Sequence, residues 1–372
     1  MEVVKHILVD SSKKIHGWYQ GKRECTSERI LLNPYNGCEV GCFFCYALSY
    51  PGKFQFFRKE GIITVYKNFH QEIEKQIDRL NIIFCGYLSP VSEPFQSIEK
   101  KYKLSEKIIE IFVSRNIPIE FITKEEIPES VIEKISIQKH SFGQVSILTP
   151  DEEIRKKLMV KGAETEKLFK NIERMAKKNI FSVCRIDPIL PFITDKEEKI
   201  SLIIKKAKDN GVKHIIGSVL DIPENIKEDV LKKIEENFGK EIKEKYIKLY
   251  TEKIGRWYNA DINYRKYIFS KVREICDKLK ISFSLCMEYE IINGTAVGLN
   301  RIFSNSINCE GIDIPVYKRK GNYFFPATTC LGNCLNCLEN KCGIPNLNQG
   351  RTKAYYKGWK YSDYLKWSKL IK

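Results

Sequence analysis

Three cysteines in one short loop are the residues whose type and spacing most clearly indicate chemistry. Cys38, Cys42 and Cys45 form a C-x3-C-x2-C run within residues 33–47. Neighbouring thiolates suit a soft metal centre, and a structural zinc ion would need a fourth protein ligand that the loop does not offer. A four-iron cluster held by three cysteines keeps one iron open for another ligand. The spacing therefore favours a [4Fe-4S] cluster; the alternatives are a zinc knuckle and a redox-active thiol cluster.

Four further cysteines towards the C-terminus form a second candidate metal site. Cys330, Cys334, Cys337 and Cys342 lie within one short segment. Four thiolates can close a metal centre, but their spacing differs from the two separated Cys-x2-Cys pairs of common zinc ribbons. The set predicts either a second [4Fe-4S] cluster, which could relay electrons or bind substrate, or a structural zinc ion that stabilises an irregular tail.

The elements that must position the cysteine loop follow from hydrophobic periodicity. Short apolar runs alternate with longer amphipathic stretches from residue 29 to about 221, which predicts βα units and a parallel sheet. The predicted strands are 30–33, 82–87, 119–123, 144–148, 182–186 and 214–220. The predicted helices are 68–80, 104–115, 127–135, 164–178 and 196–210. Six units make an α/β fold, a partial (β/α)6 TIM-type barrel, in which catalytic groups follow the C-terminal ends of the strands. The cysteine loop follows the first predicted strand.

The expected domain organisation has four parts. Residues 1–28 form an N-terminal extension and residues 29–222 the partial barrel. Residues 223–292 form an α/β extension, with helical patterns at 227–248 and 263–280 and a strand at 281–287. Residues 293–372 form a C-terminal cysteine-rich metal-binding extension that ends in a basic aromatic tail.

Composition limits the class of protein. The chain has 372 residues, 43% of them hydrophobic, which is enough for a large core. A formal net charge of +16 favours polyanionic partners, although a generally lysine-rich composition would produce the same excess. The sequence shows neither an apolar run of the ~20 residues that span a membrane nor a secretory signal. We therefore expect a cytoplasmic protein without membrane contact, whose 13 cysteines serve as metal ligands rather than disulfides.

The tail from residue 351 to 372 combines seven Lys or Arg with six Tyr or Trp side chains. One interpretation is a nucleic-acid surface, since cations contact phosphates and aromatic rings stack on bases. The other is a terminal amphipathic helix that packs its aromatic residues on the barrel and leaves the lysines in water. The sequence leaves both open.

The cysteine loop resembles that of radical S-adenosylmethionine (SAM) enzymes, and in particular of spore photoproduct lyase and its DNA-repair-photolyase-like relatives. Residues 33–38 read Asn-Pro-Tyr-Asn-Gly-Cys and residues 45–47 read Cys-Tyr-Ala. Further counterparts, in matching order and spacing, are the segments 86–99, 122–124, 145–149 and 185–195. The resemblance implies that SAM binds the open iron. An electron from a donor such as ferredoxin or flavodoxin then releases a 5'-deoxyadenosyl radical.

The same resemblance implies a set of SAM contacts at the strand ends. Lys124 or Arg185 would pair with the SAM carboxylate, Arg as a bidentate fork and Lys as a point charge. Ser92, Glu93 and Ser146 would offer oxygens to the amino group and ribose hydroxyls. The alternative for each is a structural hydrogen bond, and Asp187, which precedes a proline, is interpreted as shaping a turn.

Two residues are candidates for work on the substrate. Tyr46 follows the last cluster cysteine and would lie near SAM or join hydrogen transfer; the alternative is packing over the cluster. The lyase carries its hydrogen-donating cysteine at the end of the second strand, where residues 88–92 contain none, and Phe44 stands where the lyase has a tyrosine. Cys286 is the candidate hydrogen donor here, against the alternative of a buried structural cysteine.

The sequence thus predicts a radical SAM enzyme that abstracts hydrogen from a substrate at the barrel mouth. The first choice of substrate is a nucleic acid, as a DNA lesion or an RNA nucleoside. One alternative is a peptide or protein substrate, with the C-terminal cysteines holding an auxiliary cluster. The other is a non-catalytic, zinc-dependent nucleic-acid-binding protein.

Overall fold

The computed structural model describes most of the chain. The described residues are 4–17, 29–306, 308–328, 330, 332, 334, 337, 342–344, 347 and 358–370. Within them, no helix is both long and apolar enough to cross a membrane.

The strands of the described residues are short. They are β1 (His6–Val9), β2 (Ile30–Leu32), β3 (Tyr35–Asn36), β4 (Ile63–Tyr66), β5 (Ile82–Ile83), β6 (Gly86–Leu88), β7 (Ile119–Thr123), β8 (Phe142–Ser146), β9 (Phe181–Ile189), β10 (His214–Val219), β11 (Ile222–Pro223), β12 (Glu252–Ile254), β13 (Trp257–Asn259), β14 (Ser282–Leu285), β15 (Tyr289–Ile292), β16 (Thr295–Gly298), β17 (Tyr317–Lys320) and β18 (Tyr323–Pro326).

The helices lie mainly between these strands. They are α1 (Lys53–Glu60), α2 (Phe69–Ile77), α3 (Glu99–Tyr102), α4 (Leu104–Ser114), α5 (Glu129–Ser136), α6 (Glu152–Leu158), α7 (Thr165–Lys177), α8 (Glu197–Asp209), α9 (Lys227–Phe238), α10 (Lys240–Leu249), α11 (Ile262–Lys278), α12 (Asn300–Phe303) and α13 (Tyr361–Ser368), with 3-10 turns at Tyr46–Ser49 and Glu224–Ile226.

The central element is a seven-stranded sheet in the order β14-β10-β9-β8-β7-β6-β2. All its neighbouring strands run parallel. This confirms the predicted α/β partial barrel. The sheet has one strand more than the six predicted, because β14, placed by sequence in the extension, pairs with β10. We call the C-terminal ends of these strands the mouth of the barrel and the N-terminal ends its base.

Helices cover the outer face of the sheet because each carries an apolar stripe. In α7, Leu168, Ile172 and Met175 recur at helical spacing and are buried. Gly143 of β8 allows this close packing, since a Cβ there would lie 2.5 Å from the Met175 sulfur. The charged stretch predicted as one helix at 227–248 is two helices, α9 and α10, which Gly239 separates at φ +94°.

The C-terminal tail packs its aromatic residues into the core. Trp359, Tyr364 and Trp367 are buried, and their ring centroids lie 5.1, 5.9 and 6.4 Å from that of Phe84. For these three residues the amphipathic-helix interpretation is therefore correct, and they offer no surface for base stacking. Residues 351–357, which include two of the predicted aromatic residues, lie outside the described part of the chain.

Candidate active site

The cysteine loop leaves β2 at the mouth and is fixed by the segment after β6. The Glu39 backbone N–H donates to Gln96 Oε1 at 3.0 Å, and Gln96 Nε2 donates to the Gly37 carbonyl at 3.4 Å. The Glu39 carboxylate in turn accepts from Ser97 Oγ at 2.7 Å and from the Ile98 N–H at 3.1 Å. These reciprocal bonds set the backbone path of the loop between Cys38 and Cys42.

A second segment, after α6, supports the other side of the loop. Lys161 N–H donates to the Val40 carbonyl at 3.0 Å, and Cys42 forms an isolated antiparallel bridge with Met159. Gly41 has φ +68°, and a Cβ there would lie 3.0 Å from Val160. A larger residue at Gly41 would therefore meet both backbone strain and this contact.

The three thiols form one electrostatic group. Burial raises the pKa of Cys38 most, with further upward contributions from Glu93, Cys42 and Cys45. Burial raises the pKa of Cys42 to about 12, which the nearby Lys124 charge opposes. Three neighbouring, half-buried thiols become thiolates together only when a cationic centre compensates their charge, so this donor set fits an iron–sulfur cluster.

A cluster and a single metal ion place different demands on the positions of their ligands. No three Cys, His, Asp or Glu side chains of the described residues converge as ligands of one metal ion would. Ligands of a cluster need not converge on one point, because each cysteine binds a different iron.

Buried oxygens without protein partners lie at the ends of β2 and β6. Within the described part of the chain, Asn33 Oδ1, Ser89 Oγ and Ser92 Oγ are buried and have no hydrogen-bond partner. Buried polar groups are nearly always satisfied in native proteins. These atoms therefore fit a polar ligand such as SAM, and Ser92 was among the predicted contacts.

Glu93 and Lys124, two other predicted SAM contacts, are adjacent in space. Glu93 Oε1 accepts from Thr123 Oγ1 at 2.6 Å, and Oε2 accepts from the Lys124 N–H at 2.8 Å. Burial raises the Glu93 pKa to about 7. The Lys124 side chain is half-buried, and among the described residues no carboxylate lies within ion-pairing distance of its ammonium. Glu93 thus holds the end of β7, and the Lys124 ammonium lies at the mouth within electrostatic range of Glu93 and Asp187.

Arg185, a further predicted SAM contact, is engaged within the protein. Its Nε donates to Asp187 Oδ2 at 3.1 Å and its Nη1 to Gln144 Oε1 at 2.8 Å. Asp187 also accepts from Ser218 Oγ. Ser146, the last of the predicted contacts, is buried at the end of β8 and pairs in register with Arg185.

A buried polar network continues from Gln144 towards the base and was not predicted. Gln144 Nε2 donates to Glu120 Oε2 at 2.6 Å, and Arg29 links Glu120 at 2.7 Å to Glu310 at 2.5 Å. All four are buried. The available signal was a charged or amide residue inside an otherwise apolar predicted strand. Such a position is costly unless it is paired across the barrel interior.

Tyr46 and Cys286, the two predicted catalytic residues, come together at the mouth from distant parts of the sequence. The Tyr46 hydroxyl donates to the Pro90 carbonyl at 2.6 Å. Burial raises the pKa of Tyr46, and both Cys45 and Cys286 add to that rise, so all three lie within electrostatic range. Cys286 follows β14, where its N–H donates to the Gly217 carbonyl at 3.0 Å.

Two acidic residues beside this pair were not predicted. Burial, together with Glu288 and Asp187, raises the pKa of Asp221 to about 7. Burial also raises the Glu288 pKa to about 7, although Arg265 donates to Glu288 at 2.9 Å. This side of the mouth therefore carries carboxyl groups that can exchange protons near neutral pH.

The geometry at the mouth agrees with sequence comparison. Residues 32–203 match the profile of the Radical SAM superfamily. The chain thus carries a radical SAM domain. It is a radical SAM enzyme, and the family implies a [4Fe-4S] cluster and SAM as its cofactors. The non-catalytic alternative is thereby set aside.

Among curated proteins, two relatives are informative. A radical SAM Nalpha-GlyT isomerase of Pseudomonas phage M6 is 25% identical over 359 residues, which cover 91% of this radical SAM chain and 74% of the phage protein. An uncharacterized protein of Methanocaldococcus jannaschii is 24% identical over 172 residues, which cover 45% of this chain and 63% of that protein.

Among solved structures, the chain is similar to spore photoproduct lyase. A double mutant of the lyase with bound AdoMet and dinucleoside spore photoproduct aligns with a TM-score of 0.56 at 13% identity, covering 71% of this chain and 78% of the lyase. A lyase complex with the dinucleoside spore photoproduct aligns with the same TM-score at 12% identity, covering 75% and 81%. These similarities show a common fold.

Proposed function

We propose that this radical SAM enzyme modifies a nucleoside of a nucleic acid bound across the barrel mouth. The observation that carries the proposal is an aromatic and basic rim beside the cysteine loop. The half-buried Trp257 lies with its ring centroid 6.4 Å from that of Tyr46, and Tyr50 lies 5.8 Å from Tyr46 on another side. Lys227 and Lys253 lie 3.8 and 5.4 Å from the ring centroid of Tyr258.

The rim combines the two features that bind nucleic acid strands. Aromatic faces stack on bases and cations contact phosphates. The formal net charge of +16 acts in the same direction over longer range. The similar structures add support, because two of the spore photoproduct lyase structures hold a dinucleoside.

The cofactor side of the mouth is assigned to the cysteine loop and the first strand ends. Cys38, Cys42 and Cys45 would hold the cluster, with the Lys124 ammonium pairing the SAM carboxylate and the Ser92 hydroxyl bonding a polar SAM group. When bound, cluster and SAM supply a one-electron cleavage that yields a radical able to abstract hydrogen. Glu93 keeps the Lys124 backbone in place through the bond to its N–H.

The substrate side is assigned to Tyr46 and Cys286. Tyr46, held by its bond to the Pro90 carbonyl, directly follows Cys45 and has the rim residues Tyr50 and Trp257 as ring neighbours. We assign to Cys286 the return of a hydrogen atom from Sγ to the substrate. The sulfur radical so formed takes one electron from a ferredoxin- or flavodoxin-type donor and one proton from solvent.

This role of Cys286 can be tested by isotope labelling because thiol hydrogens exchange with water. In deuterium oxide, the nucleoside product should gain one deuterium with the native enzyme and none with Cys286→Ala. Unlabelled product from the native enzyme would contradict the assignment and indicate that the SAM-derived group returns the hydrogen.

We further propose that Cys330, Cys334, Cys337 and Cys342 hold a second metal centre, either a [4Fe-4S] cluster or zinc. The cluster suits their arrangement better, because no three Cys, His, Asp or Glu side chains of the described residues converge as the ligands of one zinc ion would. Cys330 Sγ accepts from the backbone N–H groups of Val316 and Gly332, both at 3.4 Å. Backbone donors of this kind stabilise metal-bound thiolates.

Nucleic-acid binding is tested on the anaerobic full chain with a fluorescent single-stranded oligonucleotide. The affinity should fall steeply with salt. Trp257→Ala should weaken binding by about 5- to 150-fold, the value of one stacked base. Tyr267→Ala, at an exposed tyrosine on α11, is the matched control and should change the affinity less than about twofold. Equal effects of the two variants, or no binding at low salt, would overturn the proposal and favour a peptide substrate.

A further inference from the structure

The C-terminal cysteines sit at the base of the barrel. Strand β17 pairs antiparallel with β5, and Tyr317 stands opposite Ile83, before β6 begins. The Phe324 N–H donates to the Arg115 carbonyl at 2.9 Å, and Gln138 Nε2 donates to the Tyr317 hydroxyl at 2.9 Å. Arg115 and Gln138 precede β7 and β8. The hairpin that leads to the cysteines thus spans the N-terminal ends of three strands.

The chain before this hairpin closes the base from inside. His214, the first residue of β10, contacts the Cys309 carbonyl at 3.2 Å and Ser284 Oγ at 3.0 Å. Gly311 lies against the His214 imidazole ring, since a Cβ at Gly311 would be 2.4 Å from the nearest ring atom. Glu310 reaches the barrel interior and pairs with Arg29. Residues 308–316 therefore form a plug under the sheet.

The cysteines hold this plug to the hairpin. Cys330 Sγ accepts from the N–H of Val316, the last residue of the plug. Cys334 and Cys342 are buried, and Cys342 lies within electrostatic range of Cys330 and Cys337. Gly332 has φ +80°, and a Cβ there would lie 2.3 Å from the Ile314 carbonyl oxygen. The loop between the cysteines is thus in backbone contact with the plug.

We infer that the four cysteines form a structural metal centre that locks the base of the barrel. The inference rests on the second metal centre proposed above and assigns its role. The cysteines of the catalytic loop follow β2 at the mouth, whereas this centre lies below β5. Five residues of β7 at about 3.3 Å each place roughly 13 Å of sheet between mouth and base. The centre contacts the plug and the hairpin and lies at the opposite end of the sheet from the substrate rim, so its role is to hold the base together rather than to bind substrate.

The role is tested on the anaerobically reconstituted full chain by comparing Cys342→Ser with Cys42→Ser. Cys342→Ser should lose the metal of the base centre and lower the unfolding midpoint by about 5 °C, while 5'-deoxyadenosine formation per intact catalytic cluster stays within twofold. Cys42→Ser should abolish 5'-deoxyadenosine formation and keep the base metal. Either iron or zinc at the base would support a four-thiolate centre. Metal at the catalytic site alone would overturn the base centre, while the assignment of Cys38, Cys42 and Cys45 to the catalytic cluster would still stand.

Two glycine variants provide a second test if Cys342→Ser does not fold. Gly332→Ala keeps all four thiols but drives a Cβ into the Ile314 carbonyl, so it should lower both base-metal occupancy and the unfolding midpoint. Gly321→Ala, at φ +63° with open space around it, is the matched control for backbone strain. Loss of SAM cleavage in Gly332→Ala with an unchanged unfolding midpoint would overturn the structural role and make the centre catalytic.

Discussion

The buried Arg185 and the half-buried Asp187 form an ion pair at the mouth, with Arg185 Nε 3.1 Å from Asp187 Oδ2. Both residues lie on β9, and the guanidinium also reaches Gln144 on the neighbouring strand. Arginine at this position therefore aligns the acidic side of the mouth, and its contact with the SAM carboxylate stays a prediction. The pair ends a polar network that begins at the base with Glu310.

Asp187→Asn should destabilise the enzyme because it leaves the Arg185 charge buried without its partner. We expect a loss of about 3 kcal/mol in the free energy of unfolding, measured by urea denaturation. Asp209→Asn, on an exposed helix end, is the control and should change this energy by less than about 0.5 kcal/mol. Equal values for the two variants would show that the pair contributes no net stability.

Asp221 should make stability depend on pH. Its folded pKa of about 7 is above the ordinary 3.8, mainly through burial and then through Glu288 and Asp187. Between these pH values the folded state therefore binds more protons than the unfolded state. The contribution of Asp221 to the free energy of unfolding is fully present below about pH 4 and is lost as the pH rises through 7. Arg265 is a cation within electrostatic range of this carboxyl group and opposes the rise of its pKa.

Asp221→Asn is expected to reduce that loss. The urea midpoint of the native enzyme should fall more between pH 5 and pH 8 than the midpoint of the variant. Asp261→Ala, which removes a helix cap, should lower the urea midpoint by the same amount at both pH values. Parallel pH profiles for Asp221→Asn and the native chain would exclude Asp221 as the titrating group.

Lys124→Met should weaken SAM binding through loss of one charge-assisted contact. We expect the dissociation constant for SAM to rise about 10- to 150-fold, with iron content unchanged. Lys124→Arg should recover part of the affinity, and Lys139→Met, an exposed lysine, should have no effect. An unchanged dissociation constant in Lys124→Met would place the SAM carboxylate elsewhere.

Ser92 and Thr123 give a contrast between ligand binding and stability. The Thr123 hydroxyl donates to Glu93 at 2.6 Å, whereas Ser92 Oγ has no partner among the described residues. Thr123→Val should therefore cost about 1–2 kcal/mol of unfolding free energy. Ser92→Ala should leave unfolding unchanged and weaken SAM binding; a stability loss like that of Thr123→Val would make Ser92 structural.

The barrel was predictable because its strands are buried on both faces and read as short apolar runs between amphipathic helices. The seventh strand was recognised as a strand, but its pairing with β10 follows long-range packing that local patterns do not contain. The break at Gly239 was missed because charged residues on both sides continue the helical pattern. A helix-ending glycine within that stretch was the available signal.

The cysteine loop was predictable because its chemistry lies in one continuous segment. The network of Arg29, Glu120 and Glu310 could not be predicted, because its members come from distant segments of the sequence. Taken alone, each is a single charged residue whose partners the local sequence does not indicate. The same holds for Trp257 at the rim. The aromatic tail shows the converse: its composition suited base stacking, yet Trp359 and Trp367 pack on Phe84 in the core.

The central claim is that Cys38, Cys42 and Cys45 build the catalytic cluster at the barrel mouth. The most direct test measures iron per chain and 5'-deoxyadenosine formed from SAM and dithionite, in the anaerobic native chain and in Cys42→Ser. We predict about four irons fewer in the variant and complete loss of product, with the native chain active. Zinc in place of iron in the native chain, and no SAM cleavage after reconstitution, would contradict the account.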